Sequence, residues 1–320
     1  MKSMLVTGAN GFIGRALCEE EIRQGYSVHA LVRSSEKYVV DGCKMTNVAN
    51  LTRTTDYTEM LVGVNIVIHL AARVHIMNDD ASNPSAEFYE ANTAITLNLA
   101  RQAAFSGVKR FVFLSSIKVN GESTSSELRF TPDDDFIPTD PYALSKYKAE
   151  QGLLAIAKET GLEVVIIRPP LVYGPGVKAN FSSMMKWIYR GVPLPLGAVQ
   201  NQRSFVALDN LVSFIIHCVE HPKAANEVFL ISDNEDVSTT ELLQKVAIAF
   251  EKRPLLIPIP VRIMRILANL VGKDGVAKRL FSSLQVDSSK ARNLLDWKPT
   301  ITMDEQLIKT ADAYINEKTL

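Results

Sequence analysis

A tyrosine and a lysine four residues apart are the side chains of this chain best suited to moving a proton. Tyr142 and Lys146 lie within "PYALSKYKAE", and residues at that spacing share one face of a helix. A free tyrosine has a pKa of about 10, but a neighbouring ammonium favours the phenolate and lowers that pKa. Ser115 and Ser116, at the end of "FVFLSS", add hydroxyls that could orient a carbonyl or an alcohol. Together the three residue types predict an acid–base site.

The segment around this pair has the signals of a helix. Thr139 can cap it, Pro141 suits its first turn and Gly161 suits its end. A Tyr-x-x-x-Lys pair alone also fits an ordinary solvated helix, because both residues are common. The interpretation therefore depends on the elements that position the pair.

Short apolar runs alternate with helical patterns through the first half of the chain. The runs are "MLVTGA", "SVHALV", "NIVIHLAA", "KRFVFLSS" and "LEVVIIRP". Such alternation predicts a parallel sheet with helices on both faces, in which ligands lie beyond the carboxyl ends of the strands. A TIM barrel is the alternative fold, and the glycines described next favour the open, doubly wound sheet.

Three glycines follow the first apolar run, in "LVTGANGFIG". Gly8, Gly11 and Gly14, with Phe12 and Ile13 between them, join the first predicted strand to the first predicted helix. Glycine lets the backbone approach a pyrophosphate, to which the helix N-terminus presents free N–H groups. The G-x-x-G-x-x-G spacing is not the G-x-G-x-x-G of standard dehydrogenases, and a plain strand–helix turn is the alternative. Its place at the start of a βα repeat favours a Rossmann fold that binds a dinucleotide.

The second predicted strand ends in "HALVRSS". The position about 20 residues past the glycines usually carries an acid that bonds the ribose hydroxyls of NAD, and here it is Arg33. A guanidinium pairs well with a 2′-phosphate, so the sequence favours NADP over NAD. A solvated surface arginine is the alternative.

After Pro170 the pattern becomes mixed, which predicts a smaller mixed α/β substrate-binding lobe. Capping boxes, Ser238 with Glu241 and Thr302 with Glu305, start two of its helices. The predicted division is a dinucleotide-binding domain over 1–170, rejoined by about 198–235, and a lobe over 171–197 and 236–320.

Composition bears on several classes of function. The chain has 320 residues and a formal net charge of zero, which gives a nucleic-acid partner no electrostatic support. Its three cysteines (Cys18, Cys43 and Cys218) lack metal-ligand spacing and cannot all pair, so we expect a reduced, cytoplasmic protein without a metal site. We expect no signal peptide and no membrane partner.

The most apolar segment, 255–272, is interrupted by prolines and arginines, and we interpret it as core or subunit contact rather than as a membrane-surface helix.

Seven segments together resemble the extended short-chain dehydrogenase/reductase family over nearly the whole chain. They are "TGANGFIG", "HLAA", "ANTAITLNL", "FLSSIKVNG", "PYALSKYKAE", "RPPLVYGPG" and "RSFVALDNLV". The resemblance implies an NAD(P)-dependent enzyme that transfers hydride at C4 of a UDP-hexose or UDP-N-acetylhexosamine. It also implies a homodimer formed through helices at about 86–104 and 141–160.

The resemblance implies roles for residues at matching positions. Ser116 would be the catalytic hydroxyl, Tyr142 the general acid/base, and Lys146 the residue that tunes Tyr142 and holds the nicotinamide ribose. Further cofactor-binding residues would be Gly8, Gly11, Phe12, Ile13, Gly14, Arg33, Asn50, Leu51, Leu70, Ala71, Ala72, Asn92, Ser115 and Pro169. Substrate would be bound by Ser116, Asn180, Arg203 and Arg279, with the two arginines as clamps on its diphosphate.

Departures from the family pattern concern recognition of the sugar. Leu171 stands where epimerases often carry an asparagine, Asn120 replaces a tyrosine, and Lys118 precedes it. Arg33 and Leu171 favour a 4-keto reductase that consumes NADPH over a 4-epimerase that retains NAD. A non-catalytic dinucleotide-binding protein and a reductase of non-nucleotide ketones are the alternatives from other classes.

Overall fold

Seven parallel strands form the main sheet of the computed structural model, which describes residues 2–33, 40–74, 83–125, 128–270, 272 and 274–319. The strands in chain order are β1 (Ser3–Thr7), β2 (Ser27–Val32), β3 (Lys44–Asn47), β4 (Ile66–His69), β5 (Arg110–Leu114), β6 (Glu163–Arg168), β7 (Leu171–Tyr173), β8 (Arg203–Ala207), β9 (Glu227–Leu230) and β10 (Asp236–Val237). The main sheet has the order β3-β2-β1-β4-β5-β6-β9. Strand order reverses between β1 and β4, which is where such sheets bind ligands.

Helices cover both faces of this sheet and build the second half of the chain. They are α1 (Phe12–Arg23), α2 (Thr58–Leu61), α3 (Pro84–Phe88), α4 (Ile95–Phe105), α5 (Pro141–Thr160), α6 (Ala179–Tyr189), α7 (Leu208–Glu220), α8 (Thr239–Ala249), α9 (Val261–Leu270), α10 (Asp274–Phe281), α11 (Ser289–Leu295) and α12 (Met303–Thr319). A π-helical segment, Tyr89–Ala94, joins α3 to α4. The predicted doubly wound α/β fold is confirmed.

Two apolar layers enclose the sheet, which explains why its central strands read as unbroken apolar runs. On one face α1, α7 and α11 pack together, and Phe214 contacts Phe229 and Trp297 at ring-centroid separations of 5.5 and 5.0 Å. On the other face α4 and α5 cover β4, β5 and β6 through buried residues such as Leu99 and Leu153.

Strand β9 completes the main sheet although it lies about 60 residues after β6. It pairs in parallel with β6, from Val165 opposite Glu227 to Arg168 opposite Leu230. Arg110 on β5 fastens α7 to the same sheet, because its guanidinium donates to the carbonyls of Cys218, Val219 and His221. The predicted domain boundaries remain a prediction.

The remaining strands form a small mixed sheet. β7 runs parallel to β8, and β10 runs antiparallel to β8. α6, α8 and α12 pack around it with Tyr173, Phe181 and Phe205 in the core. Ser238 and Glu241 form the predicted capping box at the start of α8.

Four local features differ from the sequence predictions. β3 was not predicted, because its residues are mostly exposed and not apolar. Asp140, not Thr139, caps α5 by accepting from the Ala143 N–H. The helix expected at about 86–104 contains the π-helical segment. Segment 255–272 is only partly core, since α9 buries Met264 and leaves much of its apolar surface exposed. No helix in the described part of the chain is long and apolar enough to span a bilayer.

Candidate active site

Tyr142 lies in the first turn of α5 and points at the end of β5. Ser116, which follows β5, lies close enough to the phenol to lower its pKa, and the Phe88 ring meets the Tyr142 ring edge-on at 6.0 Å. Burial raises the pKa of Tyr142 to about 12, opposed by the Ser116 hydroxyl and assisted by the Asp140 carboxylate. The expected contact between the serine and the tyrosine is present. The expected lowering of the Tyr142 pKa is not found in the protein alone, because desolvation outweighs the stabilising contacts.

Lys146 lies one turn further along α5 and is almost fully buried. Its Nζ donates to the Leu114 carbonyl at 2.9 Å and lies 4.5 Å from the centroid of the Phe113 ring. Burial lowers the pKa of Lys146 to about 7, and Glu150 opposes that shift. The Lys146 amine is therefore held at the carboxyl end of β5, the strand that leads into Ser116.

A buried ion pair, missed by the sequence analysis, holds this end of the sheet together. The Arg168 guanidinium contacts Glu150 with an Nη2–Oε2 distance of 2.6 Å, and both side chains are buried. Glu150 also accepts from the Ser115 hydroxyl, and Arg168 donates to Asn120 at 3.0 Å. The i+4 spacing of Glu150 from Lys146 was the only signal for it in the sequence, because Arg168 joins only through the packing of β6 on α5.

Asn92 occupies the π-helical segment and is fully buried. Its side-chain oxygen accepts from the Arg73 N–H at 2.8 Å, and its amide donates to the Arg73 carbonyl and to the Ser145 hydroxyl, each at 3.0 Å. π-helical turns occur frequently at functional sites. Asn92 thus ties the segment after β4 to α5 beside Lys146.

The glycine turn between β1 and α1 is packed so closely that side chains cannot enter it. A Cβ on Gly14 would lie 2.2 Å from the Gly8 carbonyl oxygen, and one on Gly8 would lie 2.9 Å from the Ala71 nitrogen. Gly8 has a φ of +71°, and Gly11 caps α1 with extended backbone. These glycines therefore bring the start of α1 close to the ends of β1 and β4, and a helix N-terminus in that position can bind an anion such as a pyrophosphate. The Ala71 N–H donates to the Thr7 hydroxyl at 3.1 Å, which fixes the end of β4 beside this turn.

The other predicted cofactor residues occupy the carboxyl edge of the sheet. Arg33 follows β2 and is exposed, while 34–39 lie outside the described residues. Asn50 and Leu51 follow β3, and Leu51 packs against the core. Leu70, Ala71 and Ala72 follow β4 and are half-buried, Phe12 and Ile13 open α1 and pack on the core, and Pro169 follows β6 and accepts from the Ile117 N–H. These positions line one edge, as expected of a dinucleotide site.

The predicted substrate residues lie in the second half of the chain. Arg203 opens β8, and its Nη1 donates to the carbonyl of Arg279 at 2.6 Å and to that of Ser282 at 3.3 Å. Burial lowers the pKa of Arg203 from its ordinary value. Arg279 on α10 and Asn180 in the first turn of α6 are exposed. The structure therefore joins Arg203 to the backbone at Arg279 and records no contact of Asn180 with either arginine among the described residues. In that same part of the chain, no group of three or more His, Cys, Asp or Glu side chains could hold a metal ion.

Comparison with known proteins agrees with this geometry. The family model described as NAD dependent epimerase/dehydratase family matches residues 4–232. A Vibrio cholerae protein named UDP-glucose 4-epimerase is 45% identical over 316 residues, which cover 98% of this chain and 96% of that protein.

Solved structures show the same fold. The UDP-glucose 4-epimerase of Thermotoga maritima, solved with UDP-glucose, superposes with a TM-score of 0.76 at 24% identity and covers 99% of each chain. The UDP-glucuronic acid 4-epimerase of Bacillus cereus, solved with NAD, gives a TM-score of 0.77 at 21% identity over 98% of this chain and 99% of that one. At these identities the likeness concerns the fold.

Proposed function

The chain belongs to the NAD dependent epimerase/dehydratase family, and from that premise we propose that it is a UDP-hexose 4-epimerase that retains NAD through its reaction. The observation that carries the proposal is the 45% identity, over almost the whole of both chains, to a protein named UDP-glucose 4-epimerase. The Ser116–Tyr142 contact beside the buried Lys146 supports it with suitable chemistry. These relatives favour the epimerase, so we correct the preference for an NADPH-dependent 4-keto reductase that Arg33 and Leu171 suggested.

The site residues have the properties of a proton relay at the sugar O4. Bound NAD would supply a reversible acceptor for the hydride of C4. Tyr142 would take the O4 proton during oxidation and return a proton to O4 during reduction. Ser116 would hold O4 by a hydrogen bond, and Lys146 would hold the nicotinamide ribose. Arg203, already oriented by two backbone carbonyls, would bind the diphosphate through its remaining donors.

The glycine turn suits a dinucleotide, since Gly8 and Gly14 let β1, the end of β4 and α1 pack without side chains between them, as in sites where a helix N-terminus meets a pyrophosphate. NAD is the proposed dinucleotide because the Bacillus cereus structure contains it. Arg33 is the feature that favours NADP, and its exposure is equally consistent with a solvated surface arginine. A homodimer remains part of the proposal on family resemblance.

Identification of the retained dinucleotide tests the proposal directly. We expect protein purified without added cofactor and then denatured to release NAD, and the native protein to interconvert UDP-glucose and UDP-galactose with no cofactor added. Arg33→Ala should release the same dinucleotide. Release of NADP, or net consumption of added NADPH with a keto-sugar substrate, would establish the reductase instead.

Substitution of Arg203, the proposed diphosphate-binding residue, tests the substrate class separately. Arg203→Ala should raise KM for a UDP-sugar by at least about tenfold, because a charge-assisted bidentate contact is lost. Arg23→Ala, which alters an exposed arginine at the end of α1, is the matched control and should leave KM unchanged. Equal KM values for Arg203→Ala and the parent would indicate a substrate without a diphosphate.

A further inference from the structure

Helix α9 carries an apolar surface that nothing in the described chain covers. Ile263, Ile266, Leu267 and Leu270 are 49%, 61%, 55% and 78% exposed, and we call these four residues the α9 face. The opposite side of the helix is anchored, because Met264 is buried in the core of the lobe and Val261 packs against that core. The helix is therefore held in place by one side and presents aliphatic side chains on another.

The chain before α9 carries two more exposed aliphatic side chains. Leu255 and Ile257 are 53% and 49% exposed, although their backbones are fixed by hydrogen bonds with Leu194 and Gly197. This edge of the lobe is thus ordered by its backbone while its large aliphatic side chains remain in solvent. Contiguous exposed apolar residues of this kind mark interaction sites in proteins that otherwise bury such side chains.

The charged residues of the segment 252–270 have one sign. Lys252, Arg253, Arg262 and Arg265 are all exposed, and 252–270 contains no aspartate or glutamate. With about 100° between successive residues of a helix, the two arginines of α9 fall on a stripe beside the α9 face. The overall chain has zero net charge, so this is a local excess of positive charge and not a property of the whole surface.

The sign of the charges decides between the possible occupants. A second copy related by a twofold axis would bring this patch against itself, and the four cations against four more. A protein hot spot would be expected to include aromatic anchors, and the exposed apolar residues here are all aliphatic. An aliphatic stripe flanked by arginine and lysine is instead typical of a helix that lies in the plane of a bilayer surface.

We propose that α9 and the segment before it dock the protein on an anionic membrane surface, with the α9 face among the acyl chains and the basic residues among the headgroups. This revises the expectation of no membrane partner. The mode is peripheral, since α9 is too short to span a bilayer. The proposal is independent of the 4-epimerase activity and holds whichever sugar nucleotide is the substrate.

Sedimentation with vesicles tests the docking. The complete protein should co-sediment with vesicles of phosphatidylglycerol and phosphatidylcholine in equal parts, and much less with phosphatidylcholine alone. Raised salt should weaken binding, because the lipid charges are screened. The double substitution Ile266→Ser with Leu270→Ser should abolish sedimentation, and Arg262→Gln and Arg265→Gln should each lower the partition coefficient about fivefold.

Matched controls come from other exposed surfaces. Ile308→Ser on α12 removes a side chain that is 49% exposed, and Arg23→Gln removes an exposed charge, and neither should change binding. All variants should keep the parent's thermal midpoint, because the altered residues are exposed. Failure to bind anionic vesicles, or binding that survives the double substitution, overturns the proposal. A change of mass in light scattering caused by the double substitution, without vesicle binding, would show self-association instead.

Discussion

At the scale of single residues, the phenol of Tyr142 and the amine of Lys146 are both shifted toward their neutral forms. Burial raises the pKa of Tyr142 to about 12 and lowers that of Lys146 to about 7. Since an ammonium near neutral pH is only partly populated at Lys146, the side chains alone do not stabilise a phenolate. Under the proposed mechanism, further positive charge beside Tyr142 would have to come from bound ligands.

Removal of the phenolic hydroxyl tests the relay. Tyr142→Phe should lower kcat about 10²- to 10⁴-fold, the range expected for loss of general acid–base catalysis, with little change in dinucleotide content. Tyr147→Phe, one turn away on α5, should retain the parent's kcat. Interconversion of UDP-sugars followed by product analysis measures both. A Tyr142→Phe protein as active as the parent would remove the enzymatic assignment.

A buried carboxyl on α1 predicts a pH dependence of stability. Glu21 is fully buried, neither of its oxygens has a hydrogen-bond partner within the described residues, and burial raises its pKa to about 8 from about 4.5. Between these values the folded state holds a proton that the unfolded state has lost. The free energy of unfolding should therefore fall as pH rises from about 5 to 8, by up to about 1.4 kcal/mol per pH unit.

Glu21→Gln should remove this dependence and make the protein more stable than the parent above about pH 7. Urea unfolding at a series of pH values measures the free energy of unfolding of each protein. Glu19→Gln, which alters an exposed carboxylate on the same helix, should keep the parent's slope. If the free energy of unfolding changes with pH equally in Glu21→Gln and the parent, Glu21 is ionised in the folded protein.

At the scale of elements, the first turn of α5 positions Tyr142 through its cap. The Asp140 side chain accepts from the Ala143 N–H at 2.9 Å, so Asp140→Ala should cost about 1 kcal/mol of stability. Asp140→Asn retains an acceptor and should cost less. Thr139→Ala should be near neutral. Chemical denaturation compares the three, and a larger loss for Thr139→Ala would place the cap where the sequence predicted it.

The elements show which features a sequence reveals. β1, β4, β5 and β6 were predictable because strands buried on both faces must be apolar throughout. β3 was not, since an edge strand with exposed side chains lacks that pattern. The π-helical segment was also not predicted, because the bonds that Asn92 makes there join residues distant in the sequence and leave no local pattern.

The candidate site also contains some features that the sequence predicts and others that it does not. The Ser116–Tyr142 contact could be predicted because both residues follow from strand ends and helix spacing. The pairing of Arg168 with Glu150 could not, because the partners meet only through packing. Desolvation likewise depends on three-dimensional burial, which is why the direction of the Tyr142 pKa shift escaped prediction.

At the scale of the whole molecule, the main sheet depends on chain that lies beyond residue 170, within the segment 198–235 that we expect to rejoin the dinucleotide-binding domain. Residues 1–170 alone should not fold cooperatively, because they lack β9, the α7 layer against α1, and the partners of Arg110. Circular dichroism and urea titration would show a broad, non-cooperative transition. Co-expression of 1–170 with 171–320 should restore a folded complex. A sharp transition for 1–170 alone would show that the first domain is independent.

The position of β9 also has a consequence for biosynthesis. When β6 leaves the ribosome, its outer edge has no neighbour until β9 follows about 60 residues later. At roughly 5 to 20 residues per second, that interval lasts about 3 to 12 seconds. For that time the nascent polypeptide exposes an apolar strand edge to other chains. Slow codons between the two strands would lengthen this window and raise the yield of insoluble product.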